Sequence, residues 1–145
     1  MREPYQILSI PYRIIDDTPM FCIFRREDSN YWQFIAGGGE NGDTPIDAAK
    51  SETFEEIGIE PSNIQQLECV AYVPAEVIAE NGRKHWDKNT VVIPEYSFAF
   101  ECDSEPTLSH EHNEYKWITY DEARKLLKWD SNKVAMYEVK CRLEN

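Results

Sequence analysis

Three consecutive glycines, Gly37-Gly38-Gly39, are followed by Gly42 and then by Thr44-Pro45; the next stretch carries Glu52, Glu55 and Glu56 before Gly58. The Thr44 hydroxyl can accept a hydrogen bond from a free first-turn N–H. Pro45 suits the first helical position, where its missing N–H costs nothing and its fixed φ is already helical. Asp47 stands where the acidic member of a capping box would be, although that box prefers Glu or Gln. Gly58 suits the left-handed residue that closes a helix. These signals predict a helix over Pro45–Ile57.

The i, i+3, i+4 spacing sets the three carboxylates on one narrow face, with Ile46, Ala49, Thr53 and Ile57 on the adjoining, core-facing arc. Like charges so close cost a few tenths of a kcal/mol per pair unless a cation sits among them. Clustered carboxylate oxygens suit Mg²⁺ or Mn²⁺, usually with several waters retained. Alone, the acids favour the reading of a solvated helix face, the usual meaning of a charge run. The glycines ahead of them favour a ligand site, because they let backbone approach a ligand closely and take up positive φ.

A chain of 145 residues, 41% apolar and 12% aromatic, is expected to form one domain over residues 1–145. Its net charge of −12 disfavours nucleic-acid polymers and anionic membranes as partners. A small phosphorylated substrate stays open, since a bound metal reverses the local sign. Cys22, Cys69, Cys102 and Cys141 are scattered and form no C-x-x-C pair, which points to free thiols. With no apolar leader and no run long enough to span a membrane, a cytoplasmic protein is expected.

Strand-like runs cover Tyr5–Ile15, interrupted or bulged near Pro11, and Met20–Phe24, Tyr31–Ile35, Ile64–Ala79, Thr90–Cys102 and Tyr115–Ile118. Asn81-Gly82 carries a hairpin signal. Two helices follow, one from Thr119 or Asp121 through about Lys128 with Ala123, Leu126 and Leu127 as its stripe. The second is capped by Asp130-Ser131-Asn132 and packs Val134, Met136, Tyr137, Val139 and Leu143. This order predicts an α+β class, a layered α/β/α sandwich with a mixed β-sheet. Trp117 and Trp129 are expected in the core, and His85, His110 and His112 in exposed loops. Edge strands near Pro11 or Pro94 could pair between chains as a homodimer.

The central stretch resembles the Nudix box, G-x5-E-x7-R-E-U-x-E-E-x-G-U with U a bulky aliphatic. Gly37, Glu52, Glu55, Glu56, Gly58 and Ile59 fall on matching positions. Asp43 replaces the first Glu, Thr53 an aliphatic, and Ser51 the Arg that helps orient the neighbouring catalytic Glu in that family. Trp32-Gln33, the run Glu111–Trp117 and the run Trp129–Lys133 resemble the dihydroneopterin triphosphate pyrophosphatase branch. The stretch from Ala71 to Glu95 matches least, and substrate choice would be made there.

The resemblance implies the Nudix fold and a Mg²⁺-dependent pyrophosphohydrolase, with Mn²⁺ a possible substitute. The substrate would be a nucleoside or pterin triphosphate, cleaved to monophosphate and pyrophosphate by water attack at phosphorus. Glu52, Glu55 and Glu56 would be catalytic and would ligate the metal, joined by the Ala36 or Gly37 carbonyl and by Glu111, with Glu114 and Glu95 as spare acids. Arg25 and Arg26, at a strand end, suit bidentate phosphate contacts, or else bridge Glu27 or Asp28 at the surface. Gly37 and Gly38 would admit the substrate, and Trp86 could stack on its ring. The alternative is a Nudix-fold nucleotide-binding module with weak or no turnover, because Ser51 replaces the arginine.

Overall fold

The computed structural model describes residues 1–144. In chain order the elements are β1 (Gln6–Ile15), β2 (Thr18–Arg26), β3 (Trp32–Gln33), β4 (Ile35–Gly37), α1 (Pro45–Ile57) and β5 (Gln65–Pro74). A 3₁₀ turn (Ala75–Val77) leads to α2 (Glu80–Arg83), β6 (Val92–Glu101), β7 (His112–Thr119), α3 (Tyr120–Leu126) and α4 (Asp130–Leu143). The strands form one sheet in the order β3-β2-β1-β6-β5, with β4 also on β1 and β7 also on β2. Among the strand pairings of the described residues only β1–β6 is parallel, so the sheet is mixed, as the sequence predicts.

The central strands read as unbroken apolar runs because both faces of the sheet are covered. Successive residues alternate between two cores. Ile7, Cys22, Phe24, Phe98 and Phe100 pack with Ala48, Ala49 and Ile57 of α1. Leu8, Ile10, Phe21, Ile23 and Ala99 pack with Ala123 of α3 and with Ala135, Met136 and Val139 of α4. This is the α/β/α sandwich.

Pro11 does not break β1. It lies between Ser9, the last residue paired with β4, and Tyr12, the first paired with β2, where that side of the strand changes partner. Asn81-Gly82 forms no hairpin; these residues lie in α2, where the Gly82 N–H donates to the Ala79 carbonyl at 2.9 Å. Helix α3 stops at Leu126 rather than Lys128, because Leu127 bridges to Trp32 and the Lys128 N–H donates to the Trp32 carbonyl at 3.0 Å. Val134 and Tyr137 face solvent, and Ala135 takes the core position instead. Asn132 is buried, its side chain accepting the Phe34 N–H at 2.9 Å rather than capping α4. Ile46 and Leu126 are exposed, as is Trp129 at 45%, while Trp117 is partly buried with the Arg13 guanidinium over its ring. All four cysteines are free.

Helix α1 is capped as its sequence predicts: Thr44 accepts the Asp47 N–H, and Gly58 adopts φ 71°. Thr53, which stands where the family pattern has an aliphatic, is fully buried. Its hydroxyl lies 2.8 Å from that of Ser9 on β1 and donates to the Ala49 carbonyl at 2.7 Å. The pair fastens the glutamate helix to the central strand with a satisfied polar contact. Thr53→Val leaves the buried Ser9 hydroxyl without its partner and is expected to cost about 1–3 kcal/mol. The double variant Ser9→Ala/Thr53→Val removes both partners and should recover most of that loss. Urea midpoints of the four proteins test this; a double variant no more stable than Thr53→Val would refute the pairing.

Candidate active site

The three glutamates of α1 share one side of the helix but not one environment. Glu55 is exposed, Glu52 is half-buried, and Glu56 is 2% exposed. Burial, reinforced by Glu111 and Glu52, pushes the Glu56 carboxyl up to about 10. Its Oε2 is buried with no hydrogen-bond partner. The segment ahead of β7 is tied to the end of α1, the Thr107 N–H donating to the Ile57 carbonyl at 2.9 Å and the Ser109 N–H to the Glu56 carbonyl at 3.0 Å. That docking brings Glu111 to Glu56. Glu56, Glu111 and His112 each offer a ligand atom within 4.8 Å of the others.

His112 is buried, not an exposed loop residue. It opens β7 opposite Arg26, after a bulge that shifts the register between Arg25 and Arg26. Neither ring nitrogen has a partner, and burial lowers its pKa, so the imidazole is neutral. A neutral ring and an unpaired buried carboxylate oxygen are groups a divalent cation can satisfy. The carboxylates suit Mg²⁺ or Mn²⁺, and the imidazole is the one donor outside that preference. The carboxylates of Glu52 and Glu55 lie outside this tight group.

A cleft of about 610 Å³ is lined in part by Arg2 and Arg26, while Glu52, Glu55, Glu56 and Glu111 are not among its lining residues. Ala36 and Gly37 line it, and a Cβ on Gly37 would collide with the Glu52 carboxylate, which places that group against the cleft floor. Burial first, then Glu55 and Glu111, push the Glu52 carboxyl up to about 7, with Arg2 opposing. The glycines serve close packing more than backbone freedom. A Cβ on Gly38 would strike the Arg2 guanidinium, and one on Gly39 the Tyr5 ring; of the loop's glycines only Gly42 takes positive φ, at 85°, following Asn41 at 50°.

Arg26 lines the cleft, but both its Nε and Nη2 are engaged by Asp28, at 2.9 and 3.0 Å. Arg25 is held outside the cleft by Glu114 at 3.3 Å and Asn113 at 3.0 Å. The Trp86 indole donates to the Arg2 carbonyl at 2.7 Å and is off the cleft wall, so that side chain is committed elsewhere. Gly38 is buried against Arg2. Arg2 itself lines the cleft, hydrogen bonds to Gln6, and carries a buried Nε with no partner. Nothing local marks Arg2; its place depends on the N-terminal arm bridging to Glu40. Ser51 points to solvent, in a shallow depression beside Lys50, Phe54 and Pro61.

The NUDIX domain model matches residues 13–139, and the chain belongs to that family. The solved structure of a Listeria monocytogenes protein described as a NUDIX hydrolase is 37% identical, with a TM-score of 0.83 over 99% of this chain and 96% of that one. The dihydroneopterin triphosphate diphosphatase of Escherichia coli (strain K12) is 28% identical over 138 residues, 93% of this chain and 91% of the relative. An RNA pyrophosphohydrolase of Baumannia cicadellinicola is 27% identical over 108 residues, and the match spans 65% of that protein, just under two thirds of its length.

The buried acids link stability to pH. A folded-state pKa above the unfolded value near 4.5 means that the folded, metal-free chain holds more protons between the two, so its stability falls as pH rises. For Glu52 the window runs from about 4.5 to about 7, and for Glu56 from about 4.5 to about 10. In EDTA the melting temperature should therefore fall from pH 5 to pH 9, more steeply for the wild type than for Glu56→Gln. Equal slopes for the two proteins would show that Glu56 is not proton-linked to folding.

Proposed function

We propose that this chain is a Mg²⁺-dependent pyrophosphohydrolase that cleaves a nucleoside or pterin triphosphate to monophosphate and pyrophosphate by water attack at phosphorus. The observation that carries the reading is the buried, unpartnered Glu56 oxygen beside Glu111, close enough to feel the charge of Arg26, which lines a cleft sized for a small phosphorylated molecule. Glu56 and Glu111 would hold the cation, with the Ala36 carbonyl and the remaining α1 acids completing or flanking its shell. Mn²⁺ would substitute. When bound, the cation neutralises phosphate oxygens and lowers the barrier to attack.

The residues of the chain do the rest. Glu52, facing the cleft floor with a carboxyl near pH 7, is suited to take a proton from the attacking water. Glu55, exposed on the same helix, adds negative field and a further oxygen ligand. Gly37 leaves room for the Glu52 carboxylate and for backbone close to the phosphates. Arg2 and Arg26 would face the phosphate chain, and Arg26 would have to exchange part of its Asp28 pairing to bind it. The relatives support the reaction class, since their names are those of diphosphate-cleaving enzymes.

The binding-module reading rests on Ser51. Ser51 is exposed on α1 beside Lys50 and Glu60, whereas Arg2, from the N-terminal arm, supplies a positive charge that acts on Glu52. Turnover is therefore the better-supported reading. Pyrophosphate release from a panel of nucleoside and pterin triphosphates should require Mg²⁺ and stop in EDTA. Glu56→Gln should reduce kcat by on the order of a hundredfold or more. Undiminished release in EDTA, or by Glu56→Gln, would overturn the proposal.

A further inference from the structure

Among the residues that line the cleft is another carboxylate, which this chemistry does not use. Glu95 lies on β6, is 6% exposed, and lines the cleft with an Oε1 that has no hydrogen-bond partner. The walls beside it are of two kinds. Val73, Pro74, Val77 and Ile78, from the end of β5 and the turn after it, make one apolar side. Trp129 and Tyr31 are also cleft-lining residues, packed edge to face with centroids 5.5 Å apart. An apolar slot with an aromatic pair and few polar groups is the ordinary form of a site for a flat heterocycle.

The neighbouring polar groups are largely committed. The Asn132 side chain accepts from the Phe34 N–H and donates to the Ser131 hydroxyl. Gln6, the β1 residue in register with Glu95, accepts from Arg2. Burial raises the pKa of Glu95, and the Ser131 hydroxyl offsets only part of the effect. An acid left in this state costs stability unless donors reach it.

We propose that Glu95 reads the ring of the substrate, accepting the adjacent ring N–H and exocyclic NH₂ of a 2-amino-4-oxopyrimidine unit, which guanine and pterin share. Two parallel acceptors meet two parallel donors there, a bidentate match of the kind that makes charge-assisted hydrogen bonds strong and directional. Adenine and cytosine present an acceptor beside their amino group, and its lone pair would face the carboxylate. Hypoxanthine keeps the N–H and lacks the NH₂. Arg2 and Gly37 line the same cleft, so a ring at Glu95 would extend its phosphates toward α1. This assignment rests on the triphosphate-cleaving reading, which it deepens.

The test compares GTP, 7,8-dihydroneopterin triphosphate, ITP and ATP as substrates with Mg²⁺, for the wild type and Glu95→Gln. GTP or the pterin should exceed ITP and ATP in kcat/KM by about tenfold or more, as expected for hydrogen bonds to a charged group. The better of the two identifies which ring the slot fits. Glu95→Gln should erase the preference by raising KM for the favoured ring. Equal kcat/KM across the four rings, or a preference that survives Glu95→Gln, would overturn the inference. Equilibrium binding of GMP, IMP and AMP separates this from failure of the hydrolytic reading. If no triphosphate is cleaved, tighter binding of GMP still supports the ring contact, and equal affinities refute it. The wild-type comparison holds even where the variant does not fold.

Discussion

The burial of one carboxyl group, that of Glu56, is the constraint around which the site is built. A helix that merely displayed acids to water would leave them mobile and screened. Here Gly58 closes α1, and the segment ahead of β7 bonds back to the carbonyls of Glu56 and Ile57, where the Glu56 side chain is buried. The cost of holding an acid there falls on the fold, which meets it with two apolar cores, one on each face of the sheet. What results is a group that either keeps its proton or meets a cation, with little of the middle ground that a surface glutamate has.

The glycine loop works by absence of side chains more than by flexibility. Each of Gly37, Gly38 and Gly39 receives a group from elsewhere in the chain: the Glu52 carboxylate, the Arg2 guanidinium and the Tyr5 ring. Tyr5 continues the attachment, its hydroxyl donating to the Asp43 carbonyl at 2.7 Å. A strongly acidic chain thus sets a cation, Arg2, close to its crowded carboxylates without placing it on the same helix. The loop is a packing surface between the N-terminal arm and α1, and this explains why the arm and the site are organised together.

Local signals were legible in the sequence wherever local chemistry decided the outcome. Thr44, Pro45 and Gly58 bound α1 because caps act within a single turn, and the apolar runs became central strands because both faces are covered. Asn81-Gly82 failed as a hairpin signal because its neighbours continued into a helical turn, and propensity alone does not choose between the two. Thr53 stands where the family pattern has an aliphatic, and its polar partner is Ser9, forty-four residues away in sequence. His112 was missed because a bulge sets which way it faces, and a strand's period of two cannot register an inserted residue. Arg2 and Glu95 were under-read for a related reason: each is defined by a cleft that exists only after β1, β6 and the start of α4 have assembled.

The cleft is chemically uneven, and the unevenness has a consequence for how such a protein can diverge. Gly37, which packs on the Glu52 carboxylate of α1, lines it, and so does an apolar group of Val73, Pro74, Val77 and Ile78 together with Glu95. The slot draws Val73, Pro74, Val77, Ile78 and Glu95 from the stretch that matches the family's branch least. Binding energy gained there is remote from the reacting phosphorus, so it can be changed without moving the groups that act on it. Burial of Glu56 ties the reactive end to the folding of α1 and β7. The ring end is tied to less: the end of one strand, a 3₁₀ turn, and the first turn of a helix. Selection among rings can therefore shift by substitutions that the core does not feel, while the acid that the fold is strained to bury stays in place.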